Sequence, residues 1–162
     1  MGRSAAAASY RVRLATAADA AVVAHHRVAM FRDMGTLPDD DGAALEHSSA
    51  LYLGPAITAG DYRGWLVERD GVVVAGAGVI VRQLLPRPGY PGGGREAYVL
   101  NVYTEPAHRR RGLARSLMHT VLEWCRVEGL ARVALTASDE GRRLYESLGF
   151  EAVSEMTRDV RR

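Results

Sequence analysis

The residues from Asn101 to Arg115 carry the densest chemical information in the chain. An apolar, β-branched run from Ala97 to Thr104 stops at Pro106. It turns through His108-Arg109-Arg110-Arg111-Gly112 into an amphipathic pattern that continues to about Glu128. A turn that opens a helix presents backbone N–H groups with no intrahelical partner, and the helix dipole adds partial positive charge there. That is the outline of a phosphate site. Gly112 removes a side chain and so permits close approach, while Arg109, Arg110, Arg111 and Arg115 add charge. A Walker loop needs Lys before Ser or Thr, and a dinucleotide fingerprint needs three spaced glycines. This segment has neither. Upstream, Asn101 is a polar residue inside an apolar strand. If buried it needs partners, because an unsatisfied amide costs about 1–3 kcal/mol.

These residues need a scaffold, and hydrophobic periodicity supplies one. Tyr10–Leu14 alternates as a first strand. Thr16 is an N-cap for a helix running to about Met34 and ended by Gly35. Pro38 and Asp39-Asp40-Asp41 start a second helix that runs to about Leu53 and stops at Gly54-Pro55. Tyr62–Glu68 and Val72–Val81 are strands joined at Asp70-Gly71, a strong hairpin signal. Pro86–Gly94 is a loop rich in proline and glycine. The fourth strand leads into the basic turn and its helix, on which Leu113, Leu117, Val121, Leu122 and Cys125 share a face. Ala131–Thr136 is a fifth strand, Ser138 caps a short helix ended by Gly149, and Phe150–Val160 is extended again. Strand-helix-strand order in the second half predicts parallel pairing of strands four and five, hence a mixed α/β sheet.

Composition bounds the rest. At 162 residues, with 48% hydrophobic and 25% charged residues, the chain reads as one globular domain, 1–162. All 21 basic residues are Arg, yet the net charge is only +2, a small excess for a nucleic-acid binder. The single cysteine, Cys125, excludes an intrachain disulfide and reads as a packed thiol. No C-x-x-C or spaced His pair appears, so no metal is expected. The Ala-rich start lacks a signal-peptide core and Ala6 breaks the myristoylation pattern. No run is long enough to span a membrane. The expected compartment is the cytoplasm.

The segment Ser138-Asp-Glu-Gly-Arg-Arg-Leu-Tyr145-Glu-Ser-Leu-Gly-Phe150 follows the fifth strand. Together with Arg109-x-x-Gly112-x-Ala114, set between a strand and a helix, it resembles the paired signatures of the GNAT superfamily. These are the acetyl-CoA-dependent N-acetyltransferases. The resemblance covers most of the chain and is strongest from about Val99 to Phe150. Ser138 stands where Asn is common and Gly141 where Ala is common. Little sequence follows Phe150, so a shortened final hairpin of that fold is expected.

The resemblance implies a mostly antiparallel sheet with a parallel pair at strands four and five and helices on both faces. It implies acetyl transfer from acetyl-CoA to an amine of a small molecule or protein, without a covalent enzyme intermediate. Val102, Tyr103 and Thr104 would hold the pantetheine through backbone hydrogen bonds, as if it were an extra strand, with Ser138 nearby. Backbone groups of Arg109, Arg110, Arg111, Gly112, Leu113, Ala114 and Arg115 would hold the pyrophosphate. Tyr145 would protonate the departing thiolate, unless it simply packs beside Leu144 and Leu148. The base would come from Glu96, Tyr98 or Asn101, the last orienting a water or making a structural bond. The first helix would line the acceptor site through His25, His26, Arg27, Met30, Phe31, Arg32 and Met34. There Arg27 or Arg32 either pairs with a substrate carboxylate or belongs to a solvated face. A non-catalytic acyl-CoA-binding or sensing domain is the alternative. Homodimers are common in the family, and no sequence feature decides the point.

Overall fold

The computed structural model describes residues 9–161, so the Ala-rich start, with its signal-peptide and myristoylation readings, lies outside the described residues. The elements are β1 (Arg11–Leu14), α1 (Ala20–Asp33), α2 (Gly42–Ala59), β2 (Arg63–Arg69), β3 (Val72–Leu84), β4 (Gly94–Thr104), α3 (Leu113–Val127), β5 (Arg132–Leu135) and α4 (Asp139–Ser147). The strands lie in the order β1-β2-β3-β4-β5. Every neighbouring pair is antiparallel except β4 and β5, which run parallel. This is the mixed sheet that the strand-helix-strand order predicts.

Helices cover both faces. On one, α1 and α2 bury Val23, Ala24, Leu53 and Ala56 against Tyr62 and Leu66. On the other, Leu113, Leu117, Val121 and Cys125 of α3 pack on Trp65, Val67, Val79, Ala97 and Val99. Burial pushes the Cys125 thiol up to about 11, which keeps it protonated and inert. The start of α1 is anchored electrostatically. Both Arg13 terminal nitrogens donate to Asp19 at 2.8 Å, and the Thr16 N–H donates to the same carboxylate at 2.7 Å. Arg13 above all holds Asp19 down at about 2.

Three expectations need correction. Gly54-Pro55 does not end α2, which continues to Ala59 and stops at the left-handed Gly60. Pro55 lies on the exposed side, where water can take the carbonyl its missing N–H leaves, while Leu53 and Ala56 stay buried. The strand expected over Val72–Val81 runs on past Val81, while the Pro86–Gly94 loop stands between strands as read. β3 extends to Leu84, β4 begins at Gly94, and Arg87 and Tyr90 exchange backbone hydrogen bonds at 3.0 and 2.8 Å. Finally, Phe150–Val160 forms no strand, and Val153, Met156 and Val160 are exposed.

Candidate active site

β4 organises the site through a bulge. Gly78 pairs with Leu100 and Gly76 with Tyr103, so Ala77 alone faces Asn101 and Val102. Asn101 adopts φ +55°, a left-handed conformation that Asn tolerates better than most residues. The extra residue breaks the alternation of the strand. Ala97 and Val99 face α3, then Leu100 and Asn101 both turn toward α1 and α2, and Val102 returns to the α3 side. Asn101 is 5% exposed and fully engaged. Its Nδ2 donates to the Tyr62 hydroxyl at 3.1 Å, and its Oδ1 accepts from Arg27 Nη1 at 2.7 Å. Burial pushes the Tyr62 phenol up to about 12 and lowers the Arg27 pKa.

Beyond the bulge, β4 has an open edge. Only Glu96–Val99 pair with β5, so Leu100–Thr104 leave their backbone groups unpaired on that side. Of these, the Thr104 carbonyl already accepts from Arg109 Nε at 3.0 Å. The edge leads into the basic turn. Arg110 has φ +61° and Gly112 φ +77°, and this alternation with ordinary φ gathers successive N–H groups into a concave nest. The Ser116 N–H makes the first bond of α3, to the Gly112 carbonyl at 3.0 Å. Leu113, Ala114 and Arg115 precede it with their N–H groups free among the described residues. The arginines divide in their roles. Arg109 is tied to Asp33, Arg115 donates to Ser147 at 2.8 Å, and Arg110 and Arg111 are exposed.

Tyr145 sits on α4, half-buried against the α3-side core and edge-to-face with Phe150. Burial alone raises its phenol, and its hydroxyl has no hydrogen-bond partner among the described residues. Gly141 makes room for the ring, since a Cβ there would lie 2.9 Å from Tyr145 Cε2. Ser138 caps α4, its oxygen accepting from the Gly141 N–H at 3.1 Å. Glu96 stands apart from this group. It is 4% exposed and clamped between Arg82 and Arg132 on the neighbouring strands, at 2.7 and 3.0 Å. Tyr98 is likewise occupied, bonding Thr136 Oγ1 at 2.7 Å.

Residues 24–150 match the sequence model of the Acetyltransferase (GNAT) family. The chain belongs to that family. A GCN5-related N-acetyltransferase from Ralstonia eutropha superposes with a TM-score of 0.88 at 31% identity, over 94% of this chain and 99% of that one. A predicted acetyltransferase from Clostridium acetobutylicum, solved with acetyl-CoA, shares the fold at 23% identity and a TM-score of 0.80, over 93% of this chain and 95% of that one. N-acetyltransferase 8 of Rattus norvegicus is 29% identical over 99 residues, 59% of this chain and 42% of that protein. The chain thus spans less than half the length of this curated relative.

Around the GNAT framework, the structure brings Asn101 and the β4 edge together with the α3 turn, and puts Tyr145 on the opposite face of the sheet from Asn101. It gives Glu96 a structural occupation at the far end of β4. Sequence reasoning missed the bulge and Tyr62. The signal for both was present in Gly76 and Gly78, since glycine inside a strand marks a bulge or a close approach.

Proposed function

We propose that the chain transfers an acetyl group from acetyl-CoA to a primary amine by direct attack in a ternary complex. One observation carries this reading: the unpaired β4 edge from Leu100 to Thr104 runs straight into the N–H nest at the start of α3. An extended amide-bearing arm fits the edge as an added strand. A pyrophosphate fits the nest, where N–H groups and the helix dipole converge. These donors suit acetyl-CoA without any help from Arg109, whose guanidinium is engaged elsewhere.

The amine nitrogen forms a bond to the thioester carbonyl carbon, the C–S bond breaks, and the proton lost by the nitrogen passes to water, from which the Tyr145 phenolate is reprotonated. Tyr145 supplies the proton that the sulfur takes up. Its uncommitted hydroxyl supports that role, since burial keeps the phenol protonated until a stronger base appears. The acceptor enters from the α1–α2 face, beside Asn101, and Tyr145 approaches from the other face, so nucleophile and proton donor reach the thioester carbon and its sulfur from opposite directions at the open β4 edge. Asn101 positions the attack through the bulge. Two cores on the two faces of one sheet support a single domain.

A second reading has its own support. Among the described residues, neither a carboxylate nor an imidazole lines the inner cavity beside Asn101. Without such a base, the fold would serve as an acyl-CoA-binding or sensing domain. Thiol release from acetyl-CoA across a panel of primary amines separates the two. Turnover of any amine supports transfer, whereas tight acetyl-CoA binding with no turnover supports sensing.

A further inference from the structure

The inner cavity, about 260 Å³, opens between α1, α2 and the β4 bulge. Leu45, Leu53, Ile80 and Leu100 make it largely apolar, and a single cation among the described residues enters it, Arg27. Among the described residues, the other arginines drawn out of full exposure are Arg13, Arg69 and Arg132. Each has a carboxylate partner: Asp19, Asp70 and Glu96 respectively. Arg27 has none among the described residues. Its plane is covered by Phe31, 4.8 Å from the ring centroid, and one N–H is used on Asn101. The remaining N–H edge has no acceptor in the described structure.

A guanidinium withdrawn from water without a counter-charge is costly. Apolar walls raise the attraction between that charge and an anion. The chain contains no Lys, and no second Arg among the described residues lines this cavity, so the charge present suits a monoanion. A planar carboxylate matches the guanidinium fork through paired hydrogen bonds. Because Arg27 and the open β4 edge meet at Asn101, an anion on Arg27 would hold its carrier against the bulge.

We propose that Arg27 selects the acceptor, and that the acceptor is a small primary amine bearing a carboxylate, bound at Arg27 with its amine at the β4 bulge. This rests on the acetyl-transfer reading above. The probes are glycine, β-alanine and γ-aminobutyrate, each paired with its own carboxamide, under saturating acetyl-CoA. The wild-type chain should favour at least one acid over its amide by roughly 10- to 100-fold in kcat/KM. Arg27→Gln should erase that preference mainly through KM. Arg27→Lys, which keeps charge but loses the fork, should retain part of it, and thermal melts confirm that both variants fold. Equal use of acids and amides, a preference for aminoethyl phosphate, or an unchanged preference in Arg27→Gln overturns the proposal.

If no amine turns over, the transfer reading fails, and calorimetry on the CoA-saturated protein still decides the role of Arg27. Binding of an acid over its amide, lost in Arg27→Gln, supports the carboxylate site. Binding of neither, or of both alike, overturns it.

Discussion

The Tyr62 hydroxyl occupies space that Gly78 leaves open. A Cβ at residue 78 would stand 1.9 Å from that oxygen. Gly78 pairs with Leu100 beside the β4 bulge, so a missing side chain on β3 lets a phenol reach across and bond Asn101. The amide at the centre of the site is therefore held by an absence on the neighbouring strand.

Gly78→Ala should displace the Tyr62 ring and cost about 1–3 kcal/mol, the usual range for overpacking a core. Thermal unfolding measures it. Gly92→Ala is the control, because nothing lies within 4 Å of a Cβ there. Equal melting points for the two variants would refute the claim that Gly78 is needed for Tyr62.

Tyr145→Phe removes a hydroxyl with no hydrogen-bond partner among the described residues, so the melting temperature should barely move. If that hydroxyl protonates the leaving thiolate, kcat should fall by about 10²–10⁴ with little change in acetyl-CoA affinity. Full turnover by the variant removes Tyr145 from the mechanism.

The basic turn should depend more on its backbone than on its charge. Gly112→Ala forces a Cβ onto φ +77°, with a strain of about 1–2 kcal/mol, and distorts the N–H nest. Its KM for acetyl-CoA should rise well above that of Arg111→Ala. The Arg111→Ala defect should be modest and shrink at high salt. A larger, salt-insensitive defect in Arg111→Ala would reverse this ranking.

Glu96→Gln tests a residue whose carboxylate joins three strands. Leaving Arg82 and Arg132 without their shared anion should cost about 1–3 kcal/mol, between the surface and buried limits because Arg82 is partly solvated. The folded variant should keep its kcat. A collapse of kcat at unchanged stability would instead identify Glu96 as the base.

His26 is 3% exposed, 3.2 Å from Glu105, and burial lowers its pKa from 6.5 despite that neighbour. Below the ordinary value the unfolded chain takes up a proton that the native imidazole refuses. Acid therefore favours unfolding. The wild-type melting temperature should fall between about pH 7 and pH 5, and His26→Asn should fall less over that window. Parallel slopes would assign the effect to other groups.

Much of the scaffold was legible because its signals are local. Asp70-Gly71 turns a hairpin, Ser138 caps α4, and the spacing of Leu113, Leu117, Val121 and Cys125 defines the buried face of α3. Pro55 misled because a local rule was overridden. Water tolerates the proline on the exposed side of α2, while burial of Leu53 and Ala56 holds the helix together. The ion pairs of Glu96 were hidden for a different reason, since its two arginines come from strands distant in sequence.

The sequence by itself determined the strand and the basic turn assigned to the donor in the proposed function, because backbone groups at a helix start follow from local pattern. Tertiary structure alone decided the cavity proposed for the acceptor. Arg27 could equally have been a solvated surface residue, and only the packing of α1 and α2 over a bulged β4 draws it inward. That packing joins Arg27, Tyr62, Gly78 and Asn101, which come from four separate elements or their flanks. Their meeting depends on sheet register, and register is a property of paired strands that no single segment contains.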